Sequence, residues 1–206
     1  DVGIALDGDG DRLVMVDHLG RIADGDQLLY VIASDRKRAG TLQGPVVGTV
    51  MSNLGLEQKL QAEGVEFLRA KVGDRYVLAM LKEHGGVLGG ETSGHLLCLD
   101  RTTTGDGLVS ALEVLAVMKR TGRPLAELVA GMPKFPQVMI NVRVKERIDP
   151  SQSRVIQDAV KRVEKGLGAT GRVVLRASGT EPVIRVMIEA EDEAVASRYA
   201  NELAEV

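Results

Sequence analysis

The residues best suited to chemistry fall in three short, glycine-bearing runs. The first, Asp7-Gly8-Asp9-Gly10-Asp11-Arg12, sets three carboxylates within five residues. Such charges repel one another unless a cation or full solvation offsets them. Glycines at 8 and 10 let the loop curl so that alternate side chains converge. Oxygen-only donors select a hard cation, Mg2+ or Ca2+. An EF-hand loop needs Gly at its sixth position and Glu at its twelfth. Arg12 and His18 stand there instead, between strand-like apolar runs, so Mg2+ is the expected ion.

The second run is Arg176-Ala177-Ser178-Gly179-Thr180-Glu181-Pro182, with Arg185 three residues beyond. If residues 176 and 185 flank a hairpin loop, both guanidiniums reach the same space, and guanidinium suits bidentate phosphate recognition. Ser178 and Thr180 add hydroxyls, and Gly179 lets backbone N–H groups approach an anion. The third run, Gly89-Gly90-Glu91-Thr92-Ser93-Gly94-His95, packs a carboxylate, two hydroxyls and an imidazole between glycines, a set suited to sugar hydroxyls. A Ser93–His95 nucleophile pair is disfavoured, because no orienting Asp is evident. His95 is the candidate proton handler, while His18 and His84 read as surface residues. Gly73-Asp74-Arg75 and Gly105-Asp106-Gly107 read as helix-start signals. Together, a metal loop, an anion clamp and a polyol loop point to phosphoryl transfer on a sugar phosphate. An evident nucleophile is missing.

These runs need a scaffold. Val2–Leu6 and Leu13–Val16 are short apolar runs around the aspartate loop and read as strand–loop–strand. Helices are expected over Asp24–Ala39, Leu54–Glu63, Asp74–His84 (with Asp74 as N-cap) and Thr104–Arg120, the last with Leu108, Leu112, Leu115 and Met118 on one apolar stripe. Strands are expected at Val46–Met51 and Val65–Lys71. Beyond Met132-Pro133-Lys134-Phe135-Pro136 the pattern becomes strand Val138–Val144, helix Gln152–Gly166, strands Arg172–Arg176 and Pro182–Ala190, and helix Glu193–Glu205. The expected fold is therefore α/β: a three-layer mixed α/β domain, then a smaller α+β domain with an antiparallel sheet and two helices on one face.

Composition narrows the function classes. With 26 basic and 29 acidic residues the formal charge is −3, which disfavours a nucleic-acid or anionic-membrane surface. Two Phe, three Tyr and no Trp make base-stacking platforms unexpected. No apolar run approaches the roughly 18 residues of a membrane helix. The lone Cys98 excludes an internal disulfide framework and suits a reducing, cytoplasmic compartment. Gly numbers 24 of 206, well above the usual ~7%. The sequence opens inside an apolar run at Asp1 with no initiator Met, and reads as part of a longer protein.

The three runs, in this order, resemble the α-D-phosphohexomutase family, and the resemblance runs the whole length. Gly48–Leu56, Lys71–Val77 and Thr102–Gly107 are similar to the branch that acts on hexosamine phosphates. Thr92 departs from the Asn or Gln common at its position. The resemblance implies that Asp7, Asp9 and Asp11 ligate Mg2+, and that Arg12 and His95 serve catalysis. It implies that Glu91 and Ser93 bind the sugar hydroxyls, that Gly73, Asp74 and Arg75 bind substrate, and that Arg176, Ser178, Gly179, Thr180 and Arg185 hold the non-reacting phosphate. The implied reaction moves a phosphoryl group between the 6- and 1-positions of a hexosamine phosphate through a phosphoserine and a bisphosphate. That serine lies in a Thr-Ala-Ser-His-Asn-like loop, a context neither Ser34 nor Ser52 has. The chain then corresponds to a stub of the family's second domain (1–20), its third (21–134) and its fourth (135–206). The expected partners are the hexosamine phosphate, the N-terminal domains of the same enzyme and a second copy in a homodimer; nucleic acid and membrane are not expected.

Three alternatives compete. A mutase of the same family acting on mannose or glucose phosphates would share the three runs. An aspartyl-nucleophile phosphatase would use Asp7, but Asp11 stands where Thr or Val is wanted, and Ser110, four residues after Asp106, breaks the downstream acidic pair. A non-catalytic sugar-phosphate-binding module would need only the loops.

Overall fold

A computed structural model describes residues 1–146, 149–178 and 181–206, and the chain divides into two compact units, 1–133 and 134–206. The first opens with the expected strand–loop–strand. β1 (Gly3–Leu6) pairs antiparallel with β2 (Leu13–Val16), which in turn pairs with β3 (Ile22–Ala23). β2 alternates in the manner of a half-buried strand, with Leu13 and Met15 in the core.

A βα alternation follows: α1 (Gly25–Arg38), β4 (Val46–Thr49), α2 (Leu54–Ala62), β5 (Phe67–Ala70), α3 (Asp74–His84), β6 (Leu88–Gly90), β7 (Leu96–Cys98), α4 (Gly107–Thr121) and α5 (Leu125–Val129). The sheet order is β5-β4-β6-β7, parallel except for the β6–β7 hairpin. Alternate residues face opposite layers. Val46, Leu88, Leu96 and Cys98 join α1, α2 and α4 in one core, while Val47, Ala70 and Leu97 meet Val77 and Leu81 of α3 in another. This is the expected three-layer mixed α/β unit. Its helices start where local chemistry satisfies free N–H groups: Asp24 and Gln27 form a capping box on α1, and Asn53 and Asp106 cap α2 and α4.

Two expectations for this unit fail. Asp74 does not cap α3; the cap is Gly73, at φ 124 with no side-chain bond, and Asp74 is the first helical residue. The expected stripe of α4 is rotated, because Leu108 and Leu112 are 59% and 57% exposed. The buried face is Gly107, Ser110, Ala111, Val114 and Val117, where small residues allow close approach to α1 and the sheet. Capping by Asp106 also starts α4 three residues later than Thr104.

The second unit is the expected α+β layer pair. β8 (Gln137–Arg143), β9 (Gly171–Ala177) and β10 (Val183–Ala190) form an antiparallel sheet in the order β8-β10-β9. Ile184, Val186 and Ile188 face α6 (Arg154–Leu167) and α7 (Glu193–Ala204), whose Ala159, Ala196 and Ala200 let them pack closely. The opposite face carries crosswise rows set by register: Arg176, Arg185 and Asn141 in one, Arg172, Glu189 and Gln137 in another. α6 begins two residues later than expected, because Pro150–Gln152 forms a separate 3-10 turn and Ser153 is the cap.

Candidate active site

In the first unit, two loops distant in sequence are joined. The aspartate loop is the turn between β1 and β2, and the 91–95 loop is the turn between β6 and β7. An antiparallel bridge pairs Arg12 with His95, and the Leu13 N–H donates to Gly94 O at 3.0 Å. Gly94 has φ 92, and a Cβ there would strike the Leu13 carbonyl, so only glycine lets the loops meet. The Gly107 N–H donates to Gly10 O at 2.9 Å, bringing the start of α4 to the same place.

His95 is the hub. Its Nδ1 lies 2.9 Å from Asp11 Oδ2. A carboxylate accepts, so Nδ1 carries the proton. The ring is buried, and Nε2 has no hydrogen-bond partner among the described residues. It lies against Gly105, where any Cβ would overlap the imidazole. The His95 placement thus holds Asp11 from one side. Arg12 itself is exposed, its backbone N–H donating to Asp7 Oδ1 at 3.3 Å and its guanidinium 3.9 Å from Asp7 Oδ2. Slight burial raises the Asp7 pKa, but hydrogen bonds from the Arg12 backbone, Asp11 and the Gly10 backbone, with the Arg12 charge, outweigh it and leave the carboxyl below its ordinary value.

The expected convergence of Asp7, Asp9 and Asp11 is met only in part, with the Asp7 and Asp11 side chains within hydrogen-bonding reach of one another. Asp7 turns to its own loop, Asp9 stands exposed, and Asp11 is held by His95. Among the described residues no three His, Cys, Asp or Glu side chains are gathered in metal-holding geometry. The donor chemistry still fits a hard divalent cation, since it is all-oxygen and anionic on an accessible turn.

The sugar-loop candidates separate into two roles. Ser93 is exposed at the tip of the loop. Glu91 is half-buried, and its Oε1 accepts the Gly73 N–H at 2.9 Å, tying the loop to the start of α3. Gly73, Asp74 and Arg75 therefore lie beside the 91–95 loop, with Arg75 stacked 4.6 Å over the exposed Tyr76 ring and bonded to its hydroxyl at 2.8 Å. His18 and His84 are exposed, as expected.

Sequence reasoning missed Asp26. It is fully buried in the first turn of α1, where its Oδ2 accepts from Thr92 Oγ1 at 2.7 Å and from the Asn53 N–H at 2.9 Å. Burial pushes its carboxyl up to about 6, helped by the Asp24 charge and opposed by those hydrogen bonds. Oδ1 has no partner among the described residues. The only sequence signal was an acid just inside a helix start, which ordinarily reads as an exposed complement to the helix dipole.

In the second unit, Arg176 and Arg185 stand directly opposite one another on β9 and β10. Burial lowers the Arg176 pKa, and the like charge of Arg185 lowers it further. Arg185 also lines a cavity of about 460 Å³ with Asn141, Arg143, Glu181 and Val183. The Ser178 N–H donates to Val183 O at 2.8 Å, and its hydroxyl accepts from the Glu181 N–H at 3.3 Å, shaping the hairpin end. Gly179 and Thr180 lie outside the described residues. Two facing guanidiniums at a hairpin end have the charge and donor geometry to receive an anion.

The first unit is thus an α/β/α layer structure whose acidic turn is tied to the 91–95 loop, and the second an antiparallel α+β layer pair with Arg176 and Arg185 paired across β9 and β10. Residues 24–135 match the family model described as phosphoglucomutase/phosphomannomutase, alpha/beta/alpha domain III, and residues 139–206 match the C-terminal domain of the same family. The chain belongs to the phosphoglucomutase/phosphomannomutase family, also called the α-D-phosphohexomutases. Its relatives include the phosphoglucosamine mutases of Methylococcus capsulatus and Aeromonas salmonicida, 58% and 56% identical over 99% and 100% of the chain. The chain spans 46% of the length of each. A crystal structure of Aspergillus fumigatus N-acetylphosphoglucosamine mutase, in complex with GlcNAc-6P and magnesium, shares the fold with a TM-score of 0.83 at 22% identity, over all of this chain and 52% of that one.

Proposed function

We propose that this chain supplies the sugar- and phosphate-binding portion of a phosphohexomutase that interconverts glucosamine 6-phosphate and glucosamine 1-phosphate. The observation that carries the reading is the tie between the two loops of the first unit. Asp11 bonded to His95, and Arg12 bridged to it, set the acidic turn beside Glu91 and Ser93.

In this reading Arg176, Ser178, Gly179, Thr180 and Arg185 hold the phosphate that does not react. Glu91 and Ser93 take the sugar hydroxyls, with Gly73, Asp74 and Arg75 at the rim. Asp7, Asp9 and Asp11 hold Mg2+, which when bound offsets charge on the transferring phosphoryl group. Arg12 steadies that group, and His95 orients Asp11 and is the candidate to handle the proton released by the attacking sugar hydroxyl. A phosphoserine outside these 206 residues gives its phosphoryl group to that hydroxyl, forming the 1,6-bisphosphate; the serine then takes back the other phosphoryl group. No Thr-Ala-Ser-His-Asn-like loop occurs in the chain, so the 206 residues alone bind substrate without turning it over. In the whole protein residues 1–20 close the second domain, 21–134 form the third and 135–206 the fourth.

Identity to phosphoglucosamine mutases over nearly the whole chain favours glucosamine over mannose or glucose. Steady-state kinetics of the full-length protein with the 1-phosphates of glucosamine, glucose and mannose test this. The expected result is the highest kcat/KM for glucosamine 1-phosphate; equal or greater values for either of the others refute the assignment.

A further inference from the structure

Asp26 lies on α1, an element that carries none of the residues proposed to touch substrate, yet it is fully buried. A buried carboxylate is costly unless hydrogen bonds compensate it. Here one oxygen, Oδ2, accepts from both the Thr92 hydroxyl at 2.7 Å and the Asn53 N–H at 2.9 Å. It thereby joins the 91–95 loop to the turn that precedes α2. The neighbouring Gly25 repeats the tie through its N–H, which donates to Thr92 O at 3.1 Å. Gly25 also seats the loop sterically: a Cβ there would strike Glu91 O and come within 2.6 Å of the Gly94 nitrogen.

Thr92 stands between Glu91 and Ser93, so whatever fixes its backbone fixes the directions of both neighbours. Glu91 is pinned at its far end by the Gly73 N–H, and Thr92 is pinned from beneath by Asp26. We infer that Asp26 is a positioning residue for the 91–94 loop, acting through Thr92 to set Glu91 and Ser93 without touching substrate itself. The inference rests on the mutase reading only for what the loop binds.

Amide hydrogen exchange on the 206-residue chain tests the tie directly, using Thr92→Val, Asp26→Ala and Asp26→Asn. Thr92→Val keeps shape and removes the donated bond. The amides of Gly25, Glu91 and Gly94 are expected to exchange about tenfold faster or more, as loss of a bond to a charged group implies. Amides of β8, β9 and β10 stay unchanged and serve as the internal control. Asp26→Ala gives the larger effect, and Thr92→Val carries the test if that variant does not fold. Asp26→Asn, whose carbonyl still accepts both bonds, stays near wild type. In the full-length protein Thr92→Val raises KM for the sugar phosphate severalfold and leaves kcat nearly unchanged, with KM near wild type in Asp26→Asn. Loop amides as protected as in wild type, or loosened amides with an unchanged KM, overturn the inference. Loosened amides in a full-length protein whose wild type has no mutase turnover uphold the positioning role and refute the substrate reading instead.

Discussion

Replacing Asp26 by Asn should change how stability depends on pH, in a direction and by an amount that follow from its burial. The folded chain raises this carboxyl from 3.8 to about 6. It therefore binds a proton more tightly than the unfolded chain does. The associated stability is fully present below about pH 4 and is lost as pH rises through about 6. At 1.36 kcal/mol per unit, and with the unfolded carboxyl already half ionised near pH 4, the loss on going from pH 4 to pH 8 is about 2 kcal/mol. Asn does not titrate, so it escapes this loss. Its amide nitrogen takes the place of Oδ1, which has no partner among the described residues, and burying that donor costs about 1–3 kcal/mol at every pH. The variant is thus less stable than wild type at pH 4 and comparable or more stable at pH 8. Urea unfolding of both proteins at matched pH values isolates the effect, because every other titrating group cancels in the difference. A variant-minus-wild-type difference that stays flat within ~0.5 kcal/mol between pH 4 and pH 8 refutes the burial argument.

Two further perturbations follow from close contacts and register. Gly105→Ala drives a methyl group into the His95 imidazole; it should destabilise the first unit by about 1–3 kcal/mol and break the Asp11 contact, read by thermal unfolding and by the His95 ring resonances. Arg176→Ala removes one of two facing like charges, so the melting temperature should hold or rise while calorimetric affinity for a sugar phosphate falls at least tenfold, the loss expected for a charge-assisted contact.

Much of this molecule was legible in its sequence. α1, α3 and the strands of the second unit follow from apolar periodicity closed by caps and glycines, with Gly85 ending α3 in a left-handed conformation. The hairpin reading of residues 176–185 placed both arginines on one row, because antiparallel register is set by the turn. The α4 stripe misled for a physical reason: Leu108 and Leu112 are more apolar than Ser110 and Ala111, but close packing selected the small residues. β6 went unseen because Leu88-Gly89-Gly90 lacks β-forming side chains, and β7 because Leu96–Cys98 is only three residues long. Within the site, the spacing of Asp7, Asp9 and Asp11 conveys donor chemistry and says nothing of where each carboxylate turns. The Asp11–His95 and Asp26–Thr92 bonds span 84 and 66 residues, and no local pattern encodes such contacts.

Phosphorus NMR of the purified 206-residue chain mixed with Mg2+ and glucosamine 6-phosphate tests the central claim most directly. The account predicts that the phosphate resonance shifts and broadens on binding, that Arg185→Ala abolishes the change, and that no glucosamine 1-phosphate signal grows in. An unperturbed resonance, or a growing 1-phosphate signal, contradicts it.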